Sequence, residues 1–557
     1  MKNIYSVFTL LCFFLSQLVL AQETNSTLRG VLKDIENDPI SNATIFIDGT
    51  QIQETTKQDG SFEIKNLSEG THKITFLSDN YNQYTETVSI GANETKDVRM
   101  TMYRKGDIEH IEVVGGNKVP DGLDAITRVP LKPNEMIQTI SVIPDVIIKE
   151  QGALSLTDVT QNVPGVTLFG SYGGVRESMS IRGYRGTPVL KNGVQVDSDF
   201  RTASLASDMQ GVESVQVLKG SAALTQGIGD GLGSPGGVIN VVTKTPKFTN
   251  EGNFSIRTGS WGLFRPTLDY QTVLDKKQTV AFRINTAYER ADSYKSFVRK
   301  EKFYVNPSLE WRPDDKTRII LEMDYLNADT TPDIGTVNLA ADDTEALFEM
   351  PHNKFLGFKS DNVHNQTTTY SARVYRKLTD KLTLRGTYAA SSYQVESNTT
   401  SLGKVRQNGQ MVYNLRTRSL GKSERDDKNS VVQIDLIGKD LQTGFMKHTF
   451  QAGFDYKKTD LTTLSYSSIA VDQIDIFSTI PNFLPEGISS SFVAGDPSKS
   501  NSSMYGFTAQ DIITFNQYLK AMLGVRYSSQ TSESNSTIGK VTGDAWDPFF
   551  GIMVNPT

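Results

Sequence analysis

From Asn250 to Thr557 the chain alternates apolar and polar side chains with a period of two. Val280, Phe282, Ile284 and Tyr288 alternate with Arg283, Asn285 and Glu289, and Phe303, Val305, Leu309 and Trp311 alternate with Tyr304, Asn306, Ser308 and Glu310. The pattern recurs at Ile319/Leu321/Met323/Tyr325, Leu382/Leu384/Tyr388, Val432/Ile434/Leu436, Phe450/Ala452/Phe454/Tyr456 and Leu519/Ala521/Leu523/Val525/Tyr527. That period sends successive side chains to opposite faces of a strand, so each run is a strand apolar on one face only. Such a meander covers its apolar face with a second sheet or with lipid. Connector lengths choose between the two. Short turns at Asp275–Lys277, Pro313–Asp315, Thr379–Asp380 and Asn516–Gln517 alternate with long polar segments at roughly 327–366, 394–428 and 459–502. This is the asymmetry of a membrane barrel with turns at one rim and loops at the other.

Bulk properties fit that reading. The 557 residues exceed one ordinary domain, so several modules are expected. With 37% apolar residues, a mean hydropathy of −0.34 and no internal apolar run long enough for a transmembrane helix, an α-helical transporter is excluded. A β-barrel is not. The net charge is −6 and like charges form no long block, so nucleic acid is not an expected partner. The single cysteine, Cys12, lies in the N-terminal apolar stretch, which leaves no disulfide or Cys-ligated metal downstream.

Residues 1–21 read as a secretory signal peptide, with Lys2, an apolar stretch from Ile4 to Leu20, and Val19-Leu-Ala21 before Gln22. Lipidation of Cys12 is the rival reading, opposed by the bulky Leu11 before it. Residues 22–105 form a small β-sandwich of seven or so short strands, among them 28–32, 43–47, 61–64 and 72–76, punctuated by Asp48-Gly49, Asp59-Gly60 and Glu69-Gly70. His72 lies in a strand with no partner at metal-ligand spacing and reads as a solvated or packed histidine. Residues 106–123 are a polar connector carrying Ile108, Glu109, His110, Ile111, Glu112, Val113 and Val114, an extended segment suited to join the edge of a partner's sheet.

Residues 124–247 are glycine-rich. Val238, Ile239, Val241 and Val242 make a short buried strand, and Gly227, Gly229, Gly231, Gly233, Gly236 and Gly237 before it permit close packing or left-handed turns. Along this stretch run Gln138-Thr-Ile-Ser-Val-Ile-Pro144, Asn162-Val-Pro-Gly-Val166, Ile181-Arg182-Gly183, Asn192-Gly193, Val212 to Gly220 (with Glu213, Leu218, Lys219 and Gly220), and Gly236 to Lys244 (with Gly237, Asn240, Thr243 and Lys244).

In order and spacing these strings resemble the plug of TonB-dependent outer-membrane receptors. The meander at 250–557 resembles the barrel, the 22–105 module resembles the carboxypeptidase-regulatory-like domain of Bacteroidetes-type receptors, and 108–114 resembles a TonB box. Asn192, Gln216 and Ser221 stand where the family usually has Asp, Glu and Pro, so ion pairs through that Glu are absent. The strings at 138–144 and 162–166, with no Lys-Val-Ala-Gly-Val string, resemble the ferric-siderophore branch more than the glycan-importing one. The fold class implied is mainly β: a sandwich, an α+β plug and part of a 22-stranded antiparallel outer-membrane barrel. About twelve strands are counted from Asn253 onward against about 22 in plugged transporters, and a spanning sheet must close. A C-terminally incomplete barrel is therefore expected.

The resemblance implies import of a ferric siderophore across the outer membrane of a Gram-negative bacterium, with no bond chemistry and no resident cofactor. Iron enters only as part of the transported chelate. The implied partners are TonB with its inner-membrane proton-motive complex, the chelate, and outer-membrane lipid, with the N-terminal domain in the periplasm. Plug residues Phe169, Tyr172, Arg176, Phe200 and Arg201, and loop residues Phe355, Phe358, Arg406 and Arg416, are the candidate ligand contacts. Each has a plainer reading as a packing or solvated residue. Arg182 reads as structural, bonding backbone or lumen carboxylates. Alternatives are an oligosaccharide or peptide receptor, haem uptake through His352 and His364, a non-functional truncated receptor, and a secreted adhesin or enzyme. The haem reading lacks a Phe-Arg-Ala-Pro string, since 264–267 is Phe-Arg-Pro-Thr, and the last lacks any nucleophile–base–acid constellation.

Overall fold

The computed structural model describes residues 26–34, 38–47, 50, 52–79, 81–102, 123–195, 207–227, 233–333, 337, 339–340, 345–488, 492–535 and 539–555. The signal stretch 1–21 and the segment 108–114 lie outside the described residues, as do Phe200 and Arg201. Two compact units are present, 1–117 and 118–557.

The first unit holds seven strands, β1 (Ser26–Asp34), β2 (Thr44–Ile47), β3 (Gln53–Thr55), β4 (Ser61–Leu67), β5 (Gly70–Ser78), β6 (Tyr81–Ile90) and β7 (Thr95–Met102). They form two sheets, β4-β1-β7 and β3-β2-β5-β6. Alternation decides which face is buried: Leu28, Leu32, Phe62, Ile64, Ile45, Ile47, Ile74 and Phe76 point inward and share one core. Phe62 meets Phe76 edge-on across the sheets at 5.6 Å. Burying each of these side chains contributes roughly 1.5–3 kcal/mol. His72, half-buried near the start of β5, has its Nε2 2.8 Å from the Ser68 carbonyl.

In the second unit the glycine-rich stretch folds into α1 (Leu123–Thr127), β8 (Thr139–Pro144), α2 (Asp145–Glu150), α3 (Leu156–Thr160), β9 (Val166–Gly170), β10 (Ser178–Ile181), β11 (Tyr184–Arg185), β12 (Val189–Lys191), β13 (Val194–Gln195), β14 (Val212–Lys219), α4 (Ala223–Gln226) and β15 (Gly237–Thr243). The order β13-β12-β15-β14-β8 makes a mixed sheet, and β11-β10-β9 a smaller one. β15 is buried at every position, as a central strand covered on both faces must be. α3 is short and depends on its cap: the Asp158 amide donates to Ser155 Oγ and the Ser155 amide to the Asp158 carboxylate, a capping box worth about 1 kcal/mol.

The meander forms one large sheet of β16 (Glu251–Thr258), β17 (Phe264–Val273), β18 (Val280–Asp292), β19 (Arg299–Asp314), β20 (Thr317–Thr330), β21 (Asn362–Thr379), β22 (Leu382–Gln407), β23 (Gln410–Thr443), β24 (Met446–Ser465), β25 (Ile469–Asp475), β26 (Ser498–Thr514), β27 (Leu519–Ser534) and β28 (Lys540–Val554). Sequence neighbours pair antiparallel throughout, except that β24 pairs with β26 and β25 adds to β23. Its burial is inverted relative to a soluble sheet. Arg283, Asn285, Glu289, Asn306 and Glu310 are buried on one face, while Ile434, Phe507 and Leu523 are 48%, 55% and 48% exposed on the other. That is the pattern of a sheet wrapped around a polar filling with lipid outside.

Two of the long polar segments are not the loops expected. Residues 394–428 are a continuation of β22 and β23, 26 and 34 residues long, paired from Leu382↔Gly438 out to Gln407↔Gln410. A spanning strand needs only about 9–11 residues, so the hairpin projects far past the rim. It escapes the alternation test because beyond Asn398 polar residues interrupt both faces, Thr399, Ser401, Lys404 and Arg406 standing among Leu402 and Val405 on the outgoing strand. Asn408-Gly409, at φ 51° and 81°, forms the hairpin turn. Within 459–502, β24 runs on to Ser465 and β25 and the start of β26 supply further strand.

Candidate functional site: the plug apex and its seat in the wall

At the end of the plug nearest the long loops, the β9–β10–β11 sheet and its β9–β10 turn present Leu168, Phe169, Tyr172 and Tyr184, all exposed. Arg185 lies over the exposed Phe169 ring, its guanidinium carbon 4.6 Å from the centroid, a cation–π contact. Tyr172 sits in a left-handed turn with Gly173 and Gly174 and folds back over Gly170. The turn is anchored: the Asp333 amide, just past β20, donates to the Gly173 carbonyl at 2.8 Å, and Val175 is buried with wall residues Ala287, Leu326, Val363, Tyr393 and Val395. Phe169 and Tyr172 are thus brought together on one surface, with the half-buried Arg176 beside them in sequence. Tyr184 and Arg185 complete the surface and were not singled out from sequence. Their signal was their position directly after Ile181-Arg-Gly183.

The loop candidates fare differently. Phe355 and Phe358 are buried, and Phe358 carries the Arg418 guanidinium at 3.9 Å, so both are packing residues and not ligand contacts as placed. Arg406 and Arg416 lie on the projecting hairpin and not in loops, and Arg416 turns inward to donate to the Tyr413 and Leu415 carbonyls. Arg418 draws the outer segments together. It pairs with Asp472 and donates to the Leu356, Gly357 and Pro481 carbonyls. Arg182 has a left-handed φ of 53°, and its backbone amide donates to Gly165 at 2.7 Å. Its side chain is exposed.

The plug motif strings form a polar seam. Asn192-Gly193 turns the β12–β13 hairpin at φ 50° and 83°. Asn240 Oδ1 accepts from the Gly193 amide, Asn240 Nδ2 donates to Gln216 at 2.9 Å, and the Thr243 amide donates to Asn192. An amide pair therefore stands where an ion pair was expected to be missing. Gly236 and Gly237 pass so close to the Ile181 and Leu218 carbonyls that any side chain would collide. Gly220 closes the turn by donating to Gly236 at 3.0 Å. Lys219 lies at the rim of this turn, its pKa lowered by burial and by the nearby Arg182.

Ion pairs seat the plug in the wall. Asp208, fully buried, meets Arg265 and Lys302 at 2.6 Å each, and Arg265 goes on to Glu289 at 2.7 Å. Lys191 meets Asp324 at 2.7 Å, and Asn192 and Arg373 converge on Glu322. Lys244 meets Asp269, which Arg283 also holds. Glu213 takes Lys247 at 2.7 Å nearer the surface. Buried pairs add little net stability because desolvation offsets the attraction. What they fix is register. Burial pushes the Asp208 carboxyl up, but Lys302 and Arg265 outweigh it and hold the group far below the usual carboxylate range.

Comparison with known proteins agrees with this geometry. The TonB-dependent receptor plug domain matches residues 132–238, the CarboxypepD_reg-like domain matches 28–114, and the TonB dependent receptor-like β-barrel matches 305–557. The metal-pseudopaline receptor CntO of Pseudomonas aeruginosa is 26% identical over 418 residues, covering 74% of this chain and 56% of that protein. The catecholate siderophore receptor Fiu of Escherichia coli is 25% identical, covering 72% and 53%. The chain spans about half the length of these curated relatives. Among solved structures, BauA, the ferric preacinetobactin receptor of Acinetobacter baumannii, superposes with a TM-score of 0.67 at 21% identity, over 77% of this chain and 63% of that one. The ferripyoverdine receptor of the Pseudomonas aeruginosa outer membrane gives 0.67 at 17% identity, over 82% and 60%. These matches concern a family of transport receptors and not of enzymes. With a CarboxypepD_reg-like domain, a plug and an antiparallel wall inverted for lipid, the chain belongs to the TonB-dependent receptors.

Proposed function

We propose that the chain serves TonB-dependent import of ferric siderophores across the outer membrane. The observation that carries this reading is the apex surface. Exposed Phe169, Tyr172 and Tyr184 with the stacked Arg185 offer aromatic faces and positive charge to an anionic metal chelate. The names of the relatives support it, since they are receptors for metal-pseudopaline, catecholate siderophores and ferripyoverdine. In this reading iron is cargo and no resident cofactor is needed. TonB engages residues 108–114 from the periplasm, where the N-terminal domain lies, and the proton-motive complex supplies the work. Haem uptake is less favoured, because His364 is on β21 and bonded to Asp329 at 3.1 Å.

The test is a fluorescence titration of the chain in outer-membrane vesicles with ferric catecholate, ferric hydroxamate, ferripyoverdine and haem. Saturable binding of a ferric chelate is expected, with Kd raised about tenfold or more by Phe169→Ala or Arg185→Ala. Binding of haem alone, or chelate binding indifferent to both substitutions, would overturn the reading.

A further inference from the structure

The apex turn that carries Tyr172 takes much of its support from outside the plug. Tyr172, Gly173 and Gly174 are left-handed in succession, at φ 40°, 76° and 74°. Glycine adopts that conformation freely, whereas a tyrosine holds it only where its surroundings over-determine the backbone. Within the turn the Gly174 amide donates to the Ser171 carbonyl at 2.9 Å. From the wall, the Asp333 amide donates to the Gly173 carbonyl at 2.8 Å. The approach is close, since a Cβ at Gly173 would lie 2.9 Å from the Asp333 carbonyl oxygen and 3.3 Å from Pro332 Cβ. The orientation of the Tyr172 ring beside Phe169 is therefore set where Asp333 is set.

Asp333 follows the end of β20 by three residues. The Thr331 amide still donates to the Arg299 carbonyl at 2.9 Å, but Pro332 has no amide to continue the ladder. Beyond it the Asp333 carboxylate meets Lys295 Nζ at 2.5 Å. Lys295 belongs to the turn at 293–298 that joins β18 to β19, and its side chain is only 7% exposed. So covered a side chain does not touch a ligand, and what it does for the apex it does through Asp333. The 293–298 turn is itself held from farther out. The Ser296 amide donates to the Asn353 carbonyl at 3.1 Å, and Phe297, left-handed at φ 65°, lies 6.4 Å ring to ring from the buried Phe355. Asn482 Nδ2 donates to the Phe355 carbonyl at 3.0 Å. One continuous set of contacts thus runs from the outer segments gathered by Arg418, through Phe355, Phe297, Lys295 and Asp333, to the Tyr172 turn.

We propose that Lys295 is a positioning residue of the apex surface: by holding Asp333 it fixes the Tyr172 turn in its left-handed form, and so fixes the aromatic face that Phe169 and Tyr172 offer to a ligand. Removing Lys295 takes the paired cation from Asp333 and loosens the backbone that holds Gly173. The Tyr172 turn then relaxes out of a conformation that it does not keep by itself. The wall strands keep their own ladders and are not part of the effect. The proposal rests on the transport reading for the nature of the ligand, an anionic ferric chelate, and not for the geometry.

The test uses the full chain in lipid nanodiscs, with amide exchange followed by mass spectrometry and with titration by a ferric catecholate. In Lys295→Met, which keeps the apolar stem, exchange at residues 171–175 and the Kd for the chelate should each rise about tenfold, the equivalent of one charged hydrogen bond. β18, β19 and β20 should keep their protection. Lys295→Arg, which still reaches a carboxylate, should stay close to the parent chain. The double variant Lys295→Met/Asp333→Asn separates positioning from charge. If Lys295 only screened the Asp333 carboxylate from an anionic chelate, removing both groups would restore binding, whereas positioning keeps exchange and Kd raised. Unchanged exchange at 171–175 in Lys295→Met, restored binding in the double variant, or loss of protection in the wall strands along with the turn would each overturn the proposal. Exchange needs no chelate, so a parent chain that binds none defeats the transport reading while exchange at 171–175 still decides the role of Lys295.

Discussion

A methyl group at Gly193 would lie 2.5 Å from the Ala125 carbonyl oxygen, on a backbone at φ 83°. Both facts demand glycine, and Gly193→Ala is expected to destabilise the plug by about 1–3 kcal/mol, seen as a lower denaturant midpoint for plug proteolysis. Asp208 gives a prediction with a sign. Its folded pKa is depressed, burial being outweighed by Lys302 and Arg265, so its contribution is complete above the ordinary carboxylate pKa of about 4. That contribution is lost only as pH falls through the depressed value. Plug seating, followed by protease accessibility of residues 207–227, should therefore be unchanged between pH 7 and 5, and release in that window would contradict the assignment. Asp208→Asn leaves Lys302 with only a 3.9 Å approach to Glu289 and should cost about 3–5 kcal/mol in the same assay.

Among the elements, the projecting hairpin and the outer segments form one block around Arg418. Met350, Leu356, Ile474, Ile476 and Ile480 share a small core there, and Asn482 and Lys354 donate to carbonyls across it. Arg418→Ala should make 345–361 and 469–482 protease-sensitive together while the wall strands stay resistant, and cleavage of one segment alone would contradict a single block. The wall strands were legible in sequence because lipid on one face and plug on the other impose a strict period of two. The hairpin was not, because past Asn398 neither face is uniformly apolar: Leu402, Val405 and Leu420 pack locally among Thr399, Lys404 and Arg406, and the period disappears. Motif order located the plug and its tight turns at Asn192-Gly193 and Gly236-Gly237. The ion pairs were beyond sequence reasoning, since partners such as Arg128 and Asp455 lie 327 residues apart. The inward face reads as polar, but which acid meets which base depends on how the plug is seated.

For the whole molecule, the inverted sheet and the polar seat of the plug have one consequence. Stability depends on lipid outside and on matched charge inside. An arginine on the outer face, at Ile434 or Leu523, should cost about 2–4 kcal/mol near the bilayer midplane, measured by urea unfolding in vesicles, and an effect near zero would place that face in water. The central claim is that this wall and plug belong to an energised importer of ferric chelates. Its most direct test is uptake of radiolabelled ferric siderophore by iron-starved cells expressing the chain, with and without residues 108–114 and with and without TonB. The account predicts accumulation that falls to background when either is removed. Accumulation indifferent to both, or none with any ferric chelate that the vesicles bind, would contradict it.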